Sequence, residues 1–187
     1  MQVERLDLRL LSAEDALAIG RLIVKVWPKP GKDERFRQRQ MISIGQDYCG
    51  PEQRVPLSFV VREKENVIAH AAVIPRNIVT SQGELTIAGL CKVCSDPKLR
   101  GQGLGELVVR KVFDMVDADD FRFSLFQTTP LVSPFYERLG ACAVENHFVN
   151  SFASNLRECP FWDEVIMRYP SDREWPSGEI DLCGPGY

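Results

Sequence analysis

The chain has 187 residues, 44% of them apolar, and a formal net charge of −3. That length and apolar content suit one folded domain with a sizeable core, and the acidic balance gives nucleic acid no electrostatic footing. Met1–Asp7 lacks the apolar run of a signal peptide, and no segment approaches the ~18 apolar residues of a membrane span. A cytoplasmic protein with neither nucleic-acid nor membrane partner is therefore expected.

In chain order, residues 3 to 10 alternate as a first strand. Ser12 then opens a helix with Glu14 and Asp15 in its first turn, and Pro28 and Pro30 stop it. Residues 32 to 44 are charged and predict a second, more exposed helix. Gly50, Pro51 and Pro56 mark a break. Strands follow at Leu57–Arg62, Asn66–Thr80 and Glu84–Cys94, the last two joined by a hairpin turn at Ser81–Gly83. Leu104, Val108, Val112 and Met115 share one face of a helix. Phe121–Gln127 reads as a short strand, and Ser133 starts a short helix ended by Gly140. Strands near 142–152 and at Val165–Tyr169 complete the order β-α-α-β-β-β-α-β-α-β-β. Early hairpins and a later βαβ connection imply a mixed sheet with helices on its faces.

The segment from Val93 to Gly105 carries the strongest signal. A strand passes through a polar loop into a helix, with glycines at 101, 103 and 105. A helix N-terminus exposes main-chain N–H groups and about half a positive charge, and glycine lets an anion approach them. The spacing is neither G-x-G-x-x-G nor a P-loop, which needs Lys-Ser or Lys-Thr after its last glycine. It is R-x-x-G-x-G, formed by Arg100, Gly103 and Gly105. The alternative is a glycine-rich turn without a ligand. A second signal is Pro134-Phe135-Tyr136-Glu137-Arg138-Leu139-Gly140.

The six cysteines (Cys49, Cys91, Cys94, Cys142, Cys159 and Cys183) are irregularly spaced, so no disulfide framework is expected. Cys91 and Cys94 form a C-x-x-C, but no second pair completes a metal site, and strand positions three apart face opposite ways. They read as small buried thiols, and no metal is expected.

The two motifs, in this order, resemble those of the GNAT acyltransferases over about residues 57–152. The resemblance implies a single α/β domain over 1–187, with a mostly antiparallel central sheet splayed at the cofactor site and flanked by helices. Residues 57–152 would be its cofactor-binding core, and 159–187 a C-terminal strand and acceptor-side tail. It implies transfer of an acetyl group from acetyl-coenzyme A to a primary amine of a small molecule. The donor's pyrophosphate would rest on Arg100, Gly101, Gln102, Gly103, Leu104 and Gly105, with charge from Arg100 or Lys98. Val93, Cys94 and Ser95 would offer main-chain groups to the pantetheine arm, and an N–H at Val93 or its neighbour would polarise the thioester. In that family the tyrosine of F-Y-E-x-x-G commonly lies near the coenzyme sulfur, which makes Tyr136 the candidate general acid. The competing reading packs Tyr136 at the edge of a short helix.

A finer likeness is to the aminoglycoside 2′-N-acetyltransferases, through Val67–Ile74 and the tail Glu174–Asp181. The tail is also similar to the C-terminus of the nodulation N-acyltransferases. Both relatives act on amino sugars. Cys91 occupies the position of the glutamate that the aminoglycoside enzymes are thought to use as a base. Glu84, Asp96 and the tail acids Glu174, Glu179 and Asp181 are alternatives, each of which also reads as a solvated surface group, and water alone is another. His70 reads as a hydrogen-bonded core histidine, and His147 as uncommitted. Two other functions stay open: transfer of a longer acyl chain, and a non-catalytic coenzyme A-binding module. The acceptor and the oligomeric state, a homodimer included, stay open as well.

Overall fold

The computed structural model describes residues 1–155 and 158–187. The chain folds as two compact units, Met1–Ile74 with Lys92–Val112, and Pro75–Cys91 with Phe113–Tyr187.

The first unit begins with β1 (Val3–Asp7), shorter than the strand read from the sequence. Asp7 accepts a hydrogen bond from the Arg9 amide and turns Leu8–Leu10 into a single 3-10 turn. Helix α1 (Ala13–Val26) is capped by Ser12, whose Oγ accepts from the Asp15 amide at 3.0 Å. Helix α2 starts two residues later than expected and spans Glu34–Gln46, because Asp33 is its cap and accepts from the Phe36 amide at 2.7 Å. The two helices pack closely at Gly20, where a Cβ would lie 2.8 Å from the Glu34 carbonyl oxygen. Strand β2 (Leu57–Glu63) pairs antiparallel with β1 (Val3↔Val61) and with β3 (Asn66–Thr80; Leu57↔Val73). Leu8, Ile19, Leu22, Ile23, Met41, Val60 and Val67 form the core between these helices and strands.

Strands β3 and β4 (Gly83–Ser95) are hydrogen-bonded neighbours and run through both units, as does α3 (Leu104–Asp117). In the second unit β4 is parallel to β5 (Ser124–Thr128) at only two positions, Ala88↔Ser124 and Gly89↔Leu125. The ladder ends there although β5 runs on to Thr128, in keeping with a sheet that splays. After β5 come α4 (Ser133–Glu137), β6 (Cys142–Ala143), β7 (Phe148–Val149), β8 (Val165–Tyr169) and β9 (Ile180–Asp181). Strand β8 is antiparallel to both β5 and β6. Phe113 of α3 stacks on Tyr169 with ring centroids 3.9 Å apart, and the Tyr169 hydroxyl donates to Asp117.

One expectation needs correction here. The strand expected near 142–152 is broken into β6 and β7, since Asn146 leaves the ladder to donate to the Pro176 and Gly178 carbonyls. The tail also supplies a short strand, β9, which pairs with Val79 of β3 and runs parallel to β7. Ile180 and Leu182 are fully buried with Phe123, Phe148 and Phe161, and Trp175 and Tyr187 pack against them. Apart from β5, which begins at Ser124 instead of Phe121, the remaining elements follow the sequence reading: a mixed α/β, mostly antiparallel sheet with flanking helices. No helix among the described residues is long and apolar enough to cross a membrane.

Candidate active site

The glycine turn lies in the first unit. Beyond β4 the Asp96 amide donates to the Ile68 carbonyl at 2.8 Å. The Asp96 carboxylate accepts from the Lys98 amide (3.0 Å) and from Lys25 Nζ (2.5 Å), which braces the 3-10 turn Pro97–Leu99. The bond from Lys25, followed by that from Lys98, holds the Asp96 carboxyl below its usual range. Asp96 is therefore a structural anchor of the loop and already committed to a cation.

Gly101 and Gly103 have φ of +80° and +75°, conformations that only glycine adopts without strain. A Cβ at either position would meet nothing within 4 Å, so the space over both is open. The Gly103 carbonyl accepts the first helical bond of α3, from the Leu107 amide. A glycine thus caps α3 and brings no side chain to cover the first-turn amides, which have no intrahelical acceptor. Arg100, Gln102 and Lys98 are exposed beside this turn, Leu104 is buried as its hydrophobic anchor, and Gly105 lies in the first helical turn. Uncovered amides, the positive end of a 14-residue helix and exposed cations suit a phosphate anion.

Just before the turn, β4 is distorted. Lys92 has φ of +52°. Val93 and Ser95 are half-buried, whereas Cys94 is enclosed in the core and its thiol is pushed up to about 12 by burial. Cys94 can therefore serve a ligand through its main chain alone. His70 is completely buried and bonded to Ser58 and to the Lys92 carbonyl, and burial pushes its pKa down to about 4. It is the bonded core histidine read from the sequence, but its partners and the left-handed Lys92 carried no sequence signal, since lysine is not a residue type that marks positive φ.

Tyr136 belongs to the second unit. It is 5% exposed, and its ring lies 4.6 Å from Phe126 and 4.8 Å from Phe135. Pro134 near the start of α4 and the left-handed Gly140 after it set this single turn. Cys91 is buried in the same unit. Among the acids considered as bases, Glu84 and Glu174 are exposed, and Glu179 lies 3.1 Å from His147 Nδ1 on the surface. Asp181 accepts from the Ser151 and Cys183 amides; burial raises its carboxyl, but these bonds outweigh it and leave the group below its usual range. Its role is to fix the chain beside β9. No group of three or more His, Cys, Asp or Glu residues among those described could hold a metal ion.

A domain model described as "Acetyltransferase (GNAT) domain" matches residues 7–144, and the chain belongs to this family. Solved structures share the fold at low identity. The GNAT-family N-acetyltransferase YhbS of Escherichia coli, in complex with CoA, is 13% identical with a TM-score of 0.62, covering 97% of this chain and 88% of that one. The glucosamine-6-phosphate N-acetyltransferase of Arabidopsis thaliana is 14% identical with a TM-score of 0.58, covering 82% and 100%. A GCN5-related N-acetyltransferase from Kribbella flavida is 19% identical with a TM-score of 0.54; the match covers 75% of this chain and 33% of that one, so this chain matches about a third of that protein's length. No curated protein matches the sequence.

Proposed function

We infer that the chain is a cytoplasmic, acetyl-coenzyme A-dependent N-acetyltransferase acting on a primary amine of a small molecule. The observation that carries this reading is the open, glycine-capped N-terminus of α3 in a chain of the GNAT family. The donor supplies an acetyl thioester. The amides of residues 101–105 and the charge of Arg100 hold its pyrophosphate, and the Val93–Ser95 main chain aligns the pantetheine arm. An N–H at Val93 polarises the thioester carbonyl, the kind of donor whose loss typically costs ~3 kcal/mol of transition-state stabilisation. Tyr136 protonates the departing thiolate. With Asp96 and Asp181 committed to structural partners and Cys91 buried, water is the acceptor of the amine's proton in this reading, and the exposed Glu84, Glu174 and Glu179 are the side-chain alternatives.

The finer amino-sugar reading has the enzyme from Arabidopsis as a fold neighbour. The residues that carry the likeness also have packing roles. Val67–Val73 are buried strand residues, and Ile180 and Leu182 are core. Packing accounts for the apolar part of that similarity, whereas Glu174 and Glu179 are exposed, and the acceptor is identified by direct measurement. The testing experiment is release of free thiol from acetyl-coenzyme A across a panel of amino sugars, amino acids and simple amines. Calorimetric binding of coenzyme A runs beside it. Binding with transfer to at least one amine is the expected result. Binding without transfer to any amine favours a non-catalytic coenzyme A module, and transfer only from longer acyl donors favours an N-acyltransferase of that kind. No binding at all removes the reading.

A further inference from the structure

His70 is a buried ionisable side chain to which the reaction as described gives no task. It lies on β3 with no exposed surface, and its ring bridges two strands. Nε2 lies 2.9 Å from the Ser58 hydroxyl on β2, and Nδ1 lies 2.8 Å from the Lys92 carbonyl oxygen on β4. A carbonyl oxygen only accepts, so Nδ1 carries the proton and Nε2 accepts from Ser58. Burial keeps the ring neutral, the accept-only Lys92 carbonyl selects the tautomer, and the Ser58 hydroxyl, able to donate or accept, donates to Nε2 and fixes the ring's position.

The contact to Lys92 is unusual for a flat sheet. Main-chain carbonyls point along the ladder, in the plane of the sheet, while side chains stand roughly perpendicular to it. A side chain of one strand reaches the carbonyl of the next only where that carbonyl has turned out of the plane. The φ of +52° at Lys92 records such a turn. A left-handed lysine is unfavourable by itself and persists where its surroundings fix it. His70, locked between Ser58 and the core, is a fixed partner of this kind.

The consequence falls on the next residue. The Lys92 carbonyl and the Val93 N–H belong to one planar trans peptide unit, so they point in opposite directions. Anchoring the carbonyl toward His70 aims the Val93 N–H the opposite way. We propose that His70 is a positioning residue for acyl transfer: by holding the Lys92 carbonyl, it aims the Val93 N–H at the thioester carbonyl of the acyl donor. This rests on the acetyltransferase reading above. The imidazole never touches the reacting atoms, takes no proton from the amine, and acts through one peptide plane.

The test is isotope-edited infrared spectroscopy of acetyl-coenzyme A labelled with carbon-13 at the thioester carbonyl, bound to the parent and to variants. A hydrogen bond from Val93 lowers the carbonyl frequency in the parent relative to free probe. His70→Leu is expected to return the band toward its free position or to broaden it. His70→Asn, which keeps an N–H near the Nδ1 position, retains most of the shift. The affinity for the probe should change less than about tenfold, the range for one neutral hydrogen bond. Should His70→Leu fail to fold, Ser58→Ala decides, because it keeps the imidazole and removes the hydroxyl that holds the ring in position; a partial return of the band is then expected. A parent that does not bind the probe overturns the acetyltransferase reading itself. A parent that binds and shifts the band, with an equal shift in the folded variants, leaves that reading standing and overturns the role of His70.

Discussion

The glycine turn of the first unit is main chain in open space, while Tyr136 of the second unit is one side chain among aromatic rings. Sites of these two kinds fail differently. A main-chain site depends on conformation, so it tolerates changes of side-chain chemistry but not of φ or of the space over the amides. A side-chain site depends on a single functional group, and its ring can be preserved while the group is removed. The same contrast separates binding from chemistry in the proposed reaction, with the turn governing affinity for the donor and Tyr136 governing turnover.

Gly103 offers the largest effect on the first side of this comparison. Gly103→Asp puts a carboxylate where a phosphate is proposed to rest, in a left-handed conformation, and should weaken coenzyme A binding by about 100-fold or more, ~3 kcal/mol. Gly103→Asn tolerates the left-handed conformation, carries no charge and should lose only a few-fold by calorimetry. Equal losses would assign the effect to backbone strain instead of an anion site.

On the other side, Tyr136→Phe keeps the ring in its contacts with Phe126 and Phe135 and removes only the hydroxyl. Turnover should fall by roughly 100-fold with the affinity for coenzyme A nearly unchanged. Unchanged turnover under single-turnover conditions would return Tyr136 to a packing role.

The comparison sharpens in acid. Unfolded His70 takes a proton near pH 6.5, whereas the folded protein refuses it until about pH 4. Below pH 6.5 the unfolded state therefore binds more protons, and stability falls as the pH drops, levelling off near 4. The loss is at most ~3 kcal/mol. The lowered carboxyls of Asp7, Asp96 and Asp181 take up their protons below this window. Urea unfolding at pH 7.5 and 4.5 measures the difference, and His70→Asn should flatten it. A parent with equal stability at both values would contradict a neutral, buried ring.

The smallest expected effect is at the Lys25–Asp96 pair, where the lysine is half exposed. Lys25→Ala should reduce coenzyme A affinity less than about threefold, and less still in high salt. A larger loss would make the brace a determinant of the turn's shape. The tail calls for point variants too. Deleting residues 174–187 would strip Ile180, Leu182 and Tyr187 from the core, so Glu174→Gln and Glu179→Gln are the variants that address charge alone.

Sequence periodicity was enough for most elements, since apolar spacing, caps and prolines act over a few residues. Ser12, Pro28 and Gly140 marked boundaries through local chemistry of this kind. It failed between 142 and 152, where a spread of apolar residues implied one strand. The break comes from Asn146 bonding to carbonyls 30 and 32 residues away, which no local pattern encodes. The pairing of the tail is equally non-local, because a two-residue strand such as β9 exists only through its neighbours β3 and β7.

For the site, the division is similar. Arg100, Gly103 and Gly105 were legible because a turn that must expose its amides requires glycine, and the requirement is written in residue type. The family followed from that turn and from Tyr136 in the right order. Only the tertiary structure could commit Asp96 to Lys25 and give His70 its partners on two other strands. The left-handed Lys92 belongs with these. Its conformation is held by a side chain 22 residues earlier in the chain, and the direction of the Val93 N–H follows from that long-range bond.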